Sequence, residues 1–349
     1  MNFNEGLMLG KFSPITNGHL TAFGMALMKC HTLNVLVCID HIHDPEDSPL
    51  NAEQRIAAVK AECAKLSDRI KVSVIDCTSF PYEKESNDEI SKYWAPILHD
   101  MFPNVKTLFG SELYVEMIAK HWPDCLGVNH EVLDLNRKMT SISATQIRQD
   151  PRAHWQHIPA SVKPAFTRNI LVLGAESCGK TTMTRELANI MQAPMVPEMY
   201  RSIYNNKGMD FVPNDLVDVA TAQHKASHEA ARHVFNKGLV LHDTCCEITA
   251  MYLEEYFSDH EDFAKTNAHI QGLIAQEPKF DVILFCDMNV DWVNDGTRTL
   301  GNEEDRKRMR NKAYSIAVQK AKRHGCELVV MPADYQRLPA ALEEVRKVL

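Results

Sequence analysis

The chain has no C-x-x-C pair among its ten cysteines, no apolar run approaching the ~18 residues of a membrane span, no lysine- and arginine-rich block that stands out from its acidic surroundings, and neither internal repeat nor low-complexity tract. The first absence points away from a zinc site and a disulfide framework, so reduced thiols and no structural metal are expected. The second argues against membrane insertion. The third, with a net charge of −8, removes any general affinity for nucleic acid, so a negatively charged ligand must be held locally. The opening residues, MNFNEGLMLGKF, lack a basic segment and carry Glu5; no secretory signal is read, and a cytoplasmic location is expected.

What is there suits two domains, since 349 residues exceed one ordinary core. Apolar runs alternate with helical patterns: GLMLGKF (6–12), NVLVCI (34–39), KVSVID (71–76), VKTLFG (105–110) and HEVLDL (130–135), then NILVLGA (169–175), GLVLHD (238–243), DVILFC (281–286) and CELVVM (326–331). That order predicts βαβ units and parallel sheets. Between the two series, QDPRAHWQHIPASVKPAFTR (149–168) carries Pro151, Pro159 and Pro164, which preclude a long regular helix. The expected architecture is α/β with two parallel-sheet domains, residues 1–165 and 166–349.

GAESCGKTT (174–182) fits G-x-x-x-x-G-K-[ST] in full and sits between an apolar run and a helix with Met183, Leu187 and Ile190 on one face. A loop of this kind curls so that successive amides face phosphate oxygens. Gly174, Glu176, Ser177, Cys178, Gly179, Thr181 and Thr182 are the expected ATP-binding residues, with Lys180 reaching the β/γ oxygens and the Thr181 hydroxyl on Mg²⁺. Asp243 ends the run GLVLHD, from which a carboxylate can hold the hydrated Mg²⁺; its other reading is a turn cap. Glu198 and Arg201, in VPEMYR, can hold an acceptor hydroxyl and an anionic group, or form an ordinary helix pair. The stretch WVNDGTRTLGNEEDRKRMR (292–310) follows a strand as a closing lid would, with Arg298 placed to meet a transferring phosphoryl group; Arg306, Lys307, Arg308 and Arg310 read as a solvated face. Cys178, among amides that stabilise anions, is expected to have a lowered thiol pKa and to be open to alkylation.

A second loop, GKFSPITNGH (10–19), also lies between an apolar run and a helical pattern. Its form, G-x-F-x-P-x-T-x-G-H, resembles the nucleotidyltransferase superfamily, whose later signature I-S-x-T-x-x-R stands here as ISATQIR (142–148). The resemblance implies a Rossmann-like fold and attack by a phosphate oxygen on the α-phosphorus of a nucleoside triphosphate, without a covalent enzyme intermediate. It places His19 on the α-phosphate, Lys11, Ser143, Thr145 and Arg148 on the remaining oxygens, and Gly10, Phe12, Thr16 and Gly18 in the ATP-binding loop. Thr16 stands where that superfamily usually has His, although its phosphopantetheine adenylyltransferase branch carries Thr.

The two loops in this order, the stretch ISATQIRQDPRAHWQHIPASVKPAF, the Glu198/Arg201 pair, FDVILFCDMNVDWVNDGTRTLG and the pair Ser111-Glu112 resemble the bifunctional NadR family of nicotinamide-mononucleotide adenylyltransferase and ribosylnicotinamide kinase. That likeness implies a nucleotidyltransferase domain followed by a P-loop kinase domain. ATP, ribosylnicotinamide, nicotinamide mononucleotide and NAD are the implied ligands, with Mg²⁺ as cofactor; a homo-oligomer is left open. Ser111 joins the ATP-binding residues, and Trp94 and Trp292 are candidates for stacking on the pyridinium ring, with core packing as the alternative for each. Cys245 stands where the family more often has an acidic residue. Many members begin with a DNA-binding helix-turn-helix; this chain starts almost directly on its first catalytic strand, so no repressor role is expected. A coenzyme A synthase with the same domain order and a nucleotide-sensing protein without turnover are the rival readings.

Overall fold

The computed structural model describes residues 4–80, 87–123, 127–133, 142–174, 177–200, 203, 211–234, 238–287, 303–332 and 334–349. The chain divides into two compact units, Met1–Phe166 and Thr167–Leu349. Among the described residues, no helix is long and apolar enough to cross a membrane.

In the first unit, β1 (Glu5–Gly10), β2 (Thr32–Ile39), β3 (Ile70–Asp76), β4 (Val105–Gly110) and β5 (Asn129–Val132) form a parallel sheet in the order β3-β2-β1-β4-β5. Helices α1 (Asn17–Leu27), α2 (Ala52–Leu66), α3 (Asn87–Met101), α4 (Tyr114–Lys120), α5 (Ala144–Gln149) and the short α6 (Lys163–Phe166) accompany it. Inner strands of a parallel sheet are covered on both faces, so their sequences run apolar without alternation. Leu7, Leu33, Val35, Leu36 and Leu108 are accordingly fully buried. From β1 the chain winds outward through β2 and β3, then returns to β4 on the other side of β1. Such a reversal leaves a crevice beyond the carboxyl ends of the two diverging strands.

The second unit repeats this plan. Strands β6 (Arg168–Gly174), β7 (Met195–Val196), β8 (Leu239–His242), β9 (Val282–Cys286) and β10 (Glu327–Met331) are parallel in the order β10-β9-β6-β8-β7. Its helices are α7 (Lys180–Met191), α8 (Pro213–His233), α9 (Cys246–Phe257), α10 (Phe263–Ile274), α11 (Glu303–His324) and α12 (Arg337–Lys347). β6 lies between β8 and β9, so the loop after it opens into the second crevice. β7 does not stand out in the sequence; two residues paired to Leu241 and His242 are too short to show a period.

The core of this unit contains charge. Lys320, on α11 and 1% exposed, donates to both oxygens of Glu247 at 2.6 Å and to Glu277 at 2.5 Å. Cys245, Glu247 and Glu277 converge as metal ligands do, but the Lys320 ammonium already engages both carboxylates.

His242, in the middle of the sheet, is fully buried, with Nε2 3.1 Å from Asn169 Oδ1 and Nδ1 3.4 Å from Ser227 Oγ. Burial, helped by the nearby Lys320 and His228 charges, pushes its pKa down from 6.5 to about 3. Between those values the unfolded chain binds a proton that the folded chain does not, so this histidine contributes stability above pH 6.5 that is lost as pH falls towards 3. Lowering the pH from 6.5 to 5 is expected to cost about 2 kcal/mol through this residue. Urea unfolding of the wild type and of His242→Gln at both pH values checks it: the variant should show the flatter dependence, and equal dependences would contradict the assignment.

Candidate active sites

The first crevice is a cavity of about 340 Å³. Gly10, Lys11 and Phe12 line it from the loop after β1, Thr16, Gly18 and His19 from the start of α1, Ser111 from the end of β4, and Ser143 and Thr145 from the start of α5. His19 and Ser143, 124 positions apart in sequence, thus line one cavity, because β1 is the strand at which the topology reverses.

Thr16 is the N-cap of α1, and its hydroxyl accepts from the His19 amide at 3.3 Å. In return the Thr16 amide donates to His19 Nδ1 at 3.0 Å. This is a capping box with histidine in the place usually taken by Glu or Gln. Nδ1 accepts a backbone proton, so the ring's own proton sits on Nε2, and that edge of the imidazole is a donor. Phe12 packs edge-on to the imidazole, ring centroids 5.1 Å apart, and holds its plane. Its backbone lies in the left-handed region at φ 45°, a strained conformation of the kind that persists only where surrounding structure enforces it. A side chain on Gly10 would press on the Phe12 ring at 3.3 Å, so glycine leaves room for that ring.

Ser143 caps α5 by the same device, with Gln146 as the return partner. One turn on, Arg148 does not line the cavity. Its Nη1 donates to Ser13 O at 2.6 Å, its Nε to Asp47 at 2.7 Å, and its Nη2 to Thr145 Oγ1 at 3.4 Å. Arg148, expected on phosphate oxygens, here joins the two motifs through Ser13 and Thr145. Lys11 reaches His43 O at 2.8 Å and stands 3.7 Å from both Asp40 and Asp44. Asp40 is desolvated, which raises its pKa, but amides of His43 and Ile42 and the Lys11 charge outweigh this and leave it lowered.

For Trp94 the structure gives the core-packing alternative. This residue is 6% exposed and packs in the core with Phe80, Leu98 and Val115, outside the cavity wall. Its position on the inner face of α3, not its aromatic chemistry, decides its role.

In the second unit the phosphate loop follows β6. Gly174 has φ 152°, and a Cβ there would meet Cys286 O at 2.3 Å and Cys178 Sγ at 2.6 Å, so only glycine fits. Ser177 and Gly179 are both left-handed, at φ 62° and 81°, and turn the chain tightly into α7, which begins at Lys180. Thr181 follows in the first turn, and Thr182 lines an open cleft beside the loop. Burial lowers the Lys180 pKa, but the Cys178, Glu198 and Asp243 charges more than offset it and hold the ammonium above its ordinary value. The lysine and the two carboxylates singled out in the sequence thus act on one another.

Asp243 is 1% exposed, and neither carboxylate oxygen has a hydrogen-bond partner. Two orphaned buried oxygens at a strand end beside a phosphate loop fit a divalent cation and do not fit a turn cap. The adjoining Thr244 is strained at φ 123°, and its buried hydroxyl is likewise unpartnered. Cys245 is buried in the apolar cluster with Leu171 and Phe285.

Two expectations change here. The Cys178 thiol is lowered as expected, by its Cys286 partner first and then Lys180, while Cys286 is raised. With Cys178 only 1% exposed, however, its alkylation is not expected. Arg310 is not simply solvated: it pairs with Asp287 at 2.9 and 2.6 Å and lies over the Phe285 and Tyr314 rings. Lys307 and Arg308 do form surface ion pairs with Glu303 and Glu255, whereas Arg306 has a buried, unpartnered Nε. Glu176, Arg201, Trp292 and Arg298 lie outside the described residues.

Residues 7–150 match the cytidylyltransferase-like family and residues 169–337 the AAA domain family. The trifunctional NAD biosynthesis/regulator protein NadR of Salmonella typhimurium is 28% identical over 99% of this chain and 83% of its own length; that of Escherichia coli is 27% identical over the same shares. The chain is homologous to NadR. Its fold matches that of a NadR protein solved in complex with NAD and AMP-PNP, with a TM-score of 0.77 at 24% identity over 99% of this chain and 96% of that one. Both parallel sheets of the NadR fold are therefore present here.

Arg337 is absent from the residues that the sequence singles out. It comes from α12 and donates to Cys178 O within the phosphate loop at 2.6 Å, a contact between residues 159 positions apart that no local motif signals.

Proposed function

We propose that the first unit transfers adenylate from ATP to nicotinamide mononucleotide, giving NAD and pyrophosphate, and that the second phosphorylates ribosylnicotinamide with ATP, giving nicotinamide mononucleotide. Homology to the NadR proteins over 99% of the chain carries this reading. It is supported by two separate phosphate cradles, one built on His19 and one on Lys180.

In adenylyl transfer, an oxygen of the mononucleotide phosphate attacks the α-phosphorus, and the bond to the bridging oxygen breaks to release pyrophosphate. His19 Nε2–H donates to the α-phosphate, whose charge rises in the transition state, and the start of α1 adds its dipole. Thr16 positions His19, so its identity follows from the cap and not from the choice of acceptor. Arg148 holds the loop closed through Ser13 O.

In the kinase unit a ribose hydroxyl attacks the γ-phosphorus and ADP leaves. Glu198 accepts the hydroxyl proton, and Lys180 neutralises the β/γ oxygens. Asp243 and Thr181 would hold Mg²⁺, which supplies charge neutralisation to the triphosphate when bound.

Assaying ribosylnicotinamide, nicotinamide mononucleotide and phosphopantetheine separately with labelled ATP tests the reading. Labelled mononucleotide and NAD are expected, with kcat/KM for nicotinamide mononucleotide on the order of 10²-fold or more above that for phosphopantetheine. A reversed preference favours the coenzyme A rival, and binding without pyrophosphate release favours the sensor.

A further inference from the structure

We propose that Arg337 is the positioning residue of the kinase unit: it sets the direction of the Cys178–Gly179 peptide and thereby prepares the phosphate loop for nucleotide. The inference rests on the kinase reading of that loop and adds to it a residue from the far end of the unit. Arg337 Nη1 donates to Cys178 O at 2.6 Å, and Nε donates to Pro332 O at 2.7 Å, so the guanidinium is held from behind by the chain that leaves β10. The carbonyl and amide of a trans peptide point in opposite directions. With the Cys178 carbonyl turned towards Arg337, the Gly179 amide faces away from it, and that is the side proposed for the phosphate oxygens.

Gly179, at φ 81°, has little intrinsic resistance to a flipped peptide. A flip would aim a carbonyl dipole at the phosphates and remove one donor from the cradle. Arg337 opposes that flip with a charge-assisted hydrogen bond. A Cβ on Gly179 would stand 3.1 Å from Nη1, which shows how closely the guanidinium approaches the loop. Its other nitrogen, Nη2, is buried without a partner. Leaving a charged donor unmet is unfavourable, and packing alone gives no reason to hold it there.

The test is calorimetric titration of AMP-PNP into the full chain, wild type and variants. The component of binding lost in Lys180→Ala identifies the kinase loop. Arg337→Gln is expected to weaken that same component on the order of 10-fold or more and to raise the kinase KM for ATP more than it lowers kcat, with Arg337→Lys intermediate and adenylyl transfer unchanged. An unchanged Lys180-dependent component in Arg337→Gln would overturn the proposal.

A purely structural role is separated by chemical rescue. Millimolar guanidinium ion should restore nucleotide affinity to Arg337→Ala without raising its melting temperature; no rescue, or rescue that only tracks stability, would overturn the assignment. A Lys180-dependent component that needs Arg337 in a protein unable to phosphorylate ribosylnicotinamide would sink the kinase reading alone. Absence of such a component in the wild type would sink both.

Discussion

Lys180→Ala is expected to lower ribosylnicotinamide phosphorylation by on the order of 10²- to 10³-fold while adenylyl transfer keeps its rate, because removing one preorganised charge from a developing phosphoryl anion costs that much. The change leaves Glu198 and Asp243 without the cation whose charge they share, so the loss includes weaker nucleotide binding as well as slower chemistry. The helix itself should survive, since alanine is the strongest helix former and the tight turn into α7 is made by Ser177 and Gly179. Steady-state assays of both reactions on the same preparation, with a melting curve, check it. A matching loss of adenylyl transfer in a folded protein would mean that the two sites are not separate.

His19→Ala should produce the opposite pattern: adenylyl transfer falls by on the order of 10²-fold or more and the kinase is spared. The His19 amide keeps its bond to the Thr16 hydroxyl in the variant, so that half of the α1 cap is retained, while the imidazole donor and the acceptor of the Thr16 amide are lost. His19→Asn can offer an N–H of its own and should recover part of the rate. Thr16→Val removes the hydroxyl that accepts from the His19 amide and is expected to lower the rate less than His19→Ala, through misplacement of the ring. A His19→Ala enzyme with unchanged adenylyl transfer would exclude the imidazole from the reaction.

The strands, their order in the chain and the two phosphate loops were legible because each rests on contiguous residues. Inner parallel strands are buried on both faces and show as unbroken apolar runs such as NILVLG, and a phosphate loop needs glycine and lysine at fixed offsets. Ser143 and Thr145 were legible through the motif ISATQIR, and the structure brings them to the same cavity as Gly10 and His19. The tautomer of His19 was not, because it depends on which nitrogen the Thr16 amide meets. β7 escaped notice because its identity lies in its pairing with β8 and not in its own two residues.

Sequence alone thus determined the α/β class and the strand-loop-helix units, which follow from periodicity and steric rules acting over a few residues, while the chemistry expected of each loop came from its motif and from family resemblance. Only tertiary structure decided that Trp94 belongs to the core, that Arg148 clamps Ser13 across 135 positions, that Arg310 pairs with Asp287, and that Arg337 reaches Cys178 across 159. The reason is physical: these contacts depend on the order in which strands pair and on which helix face is left to turn inward. An arginine carries the same local signal whether it meets a phosphate, a carbonyl or water.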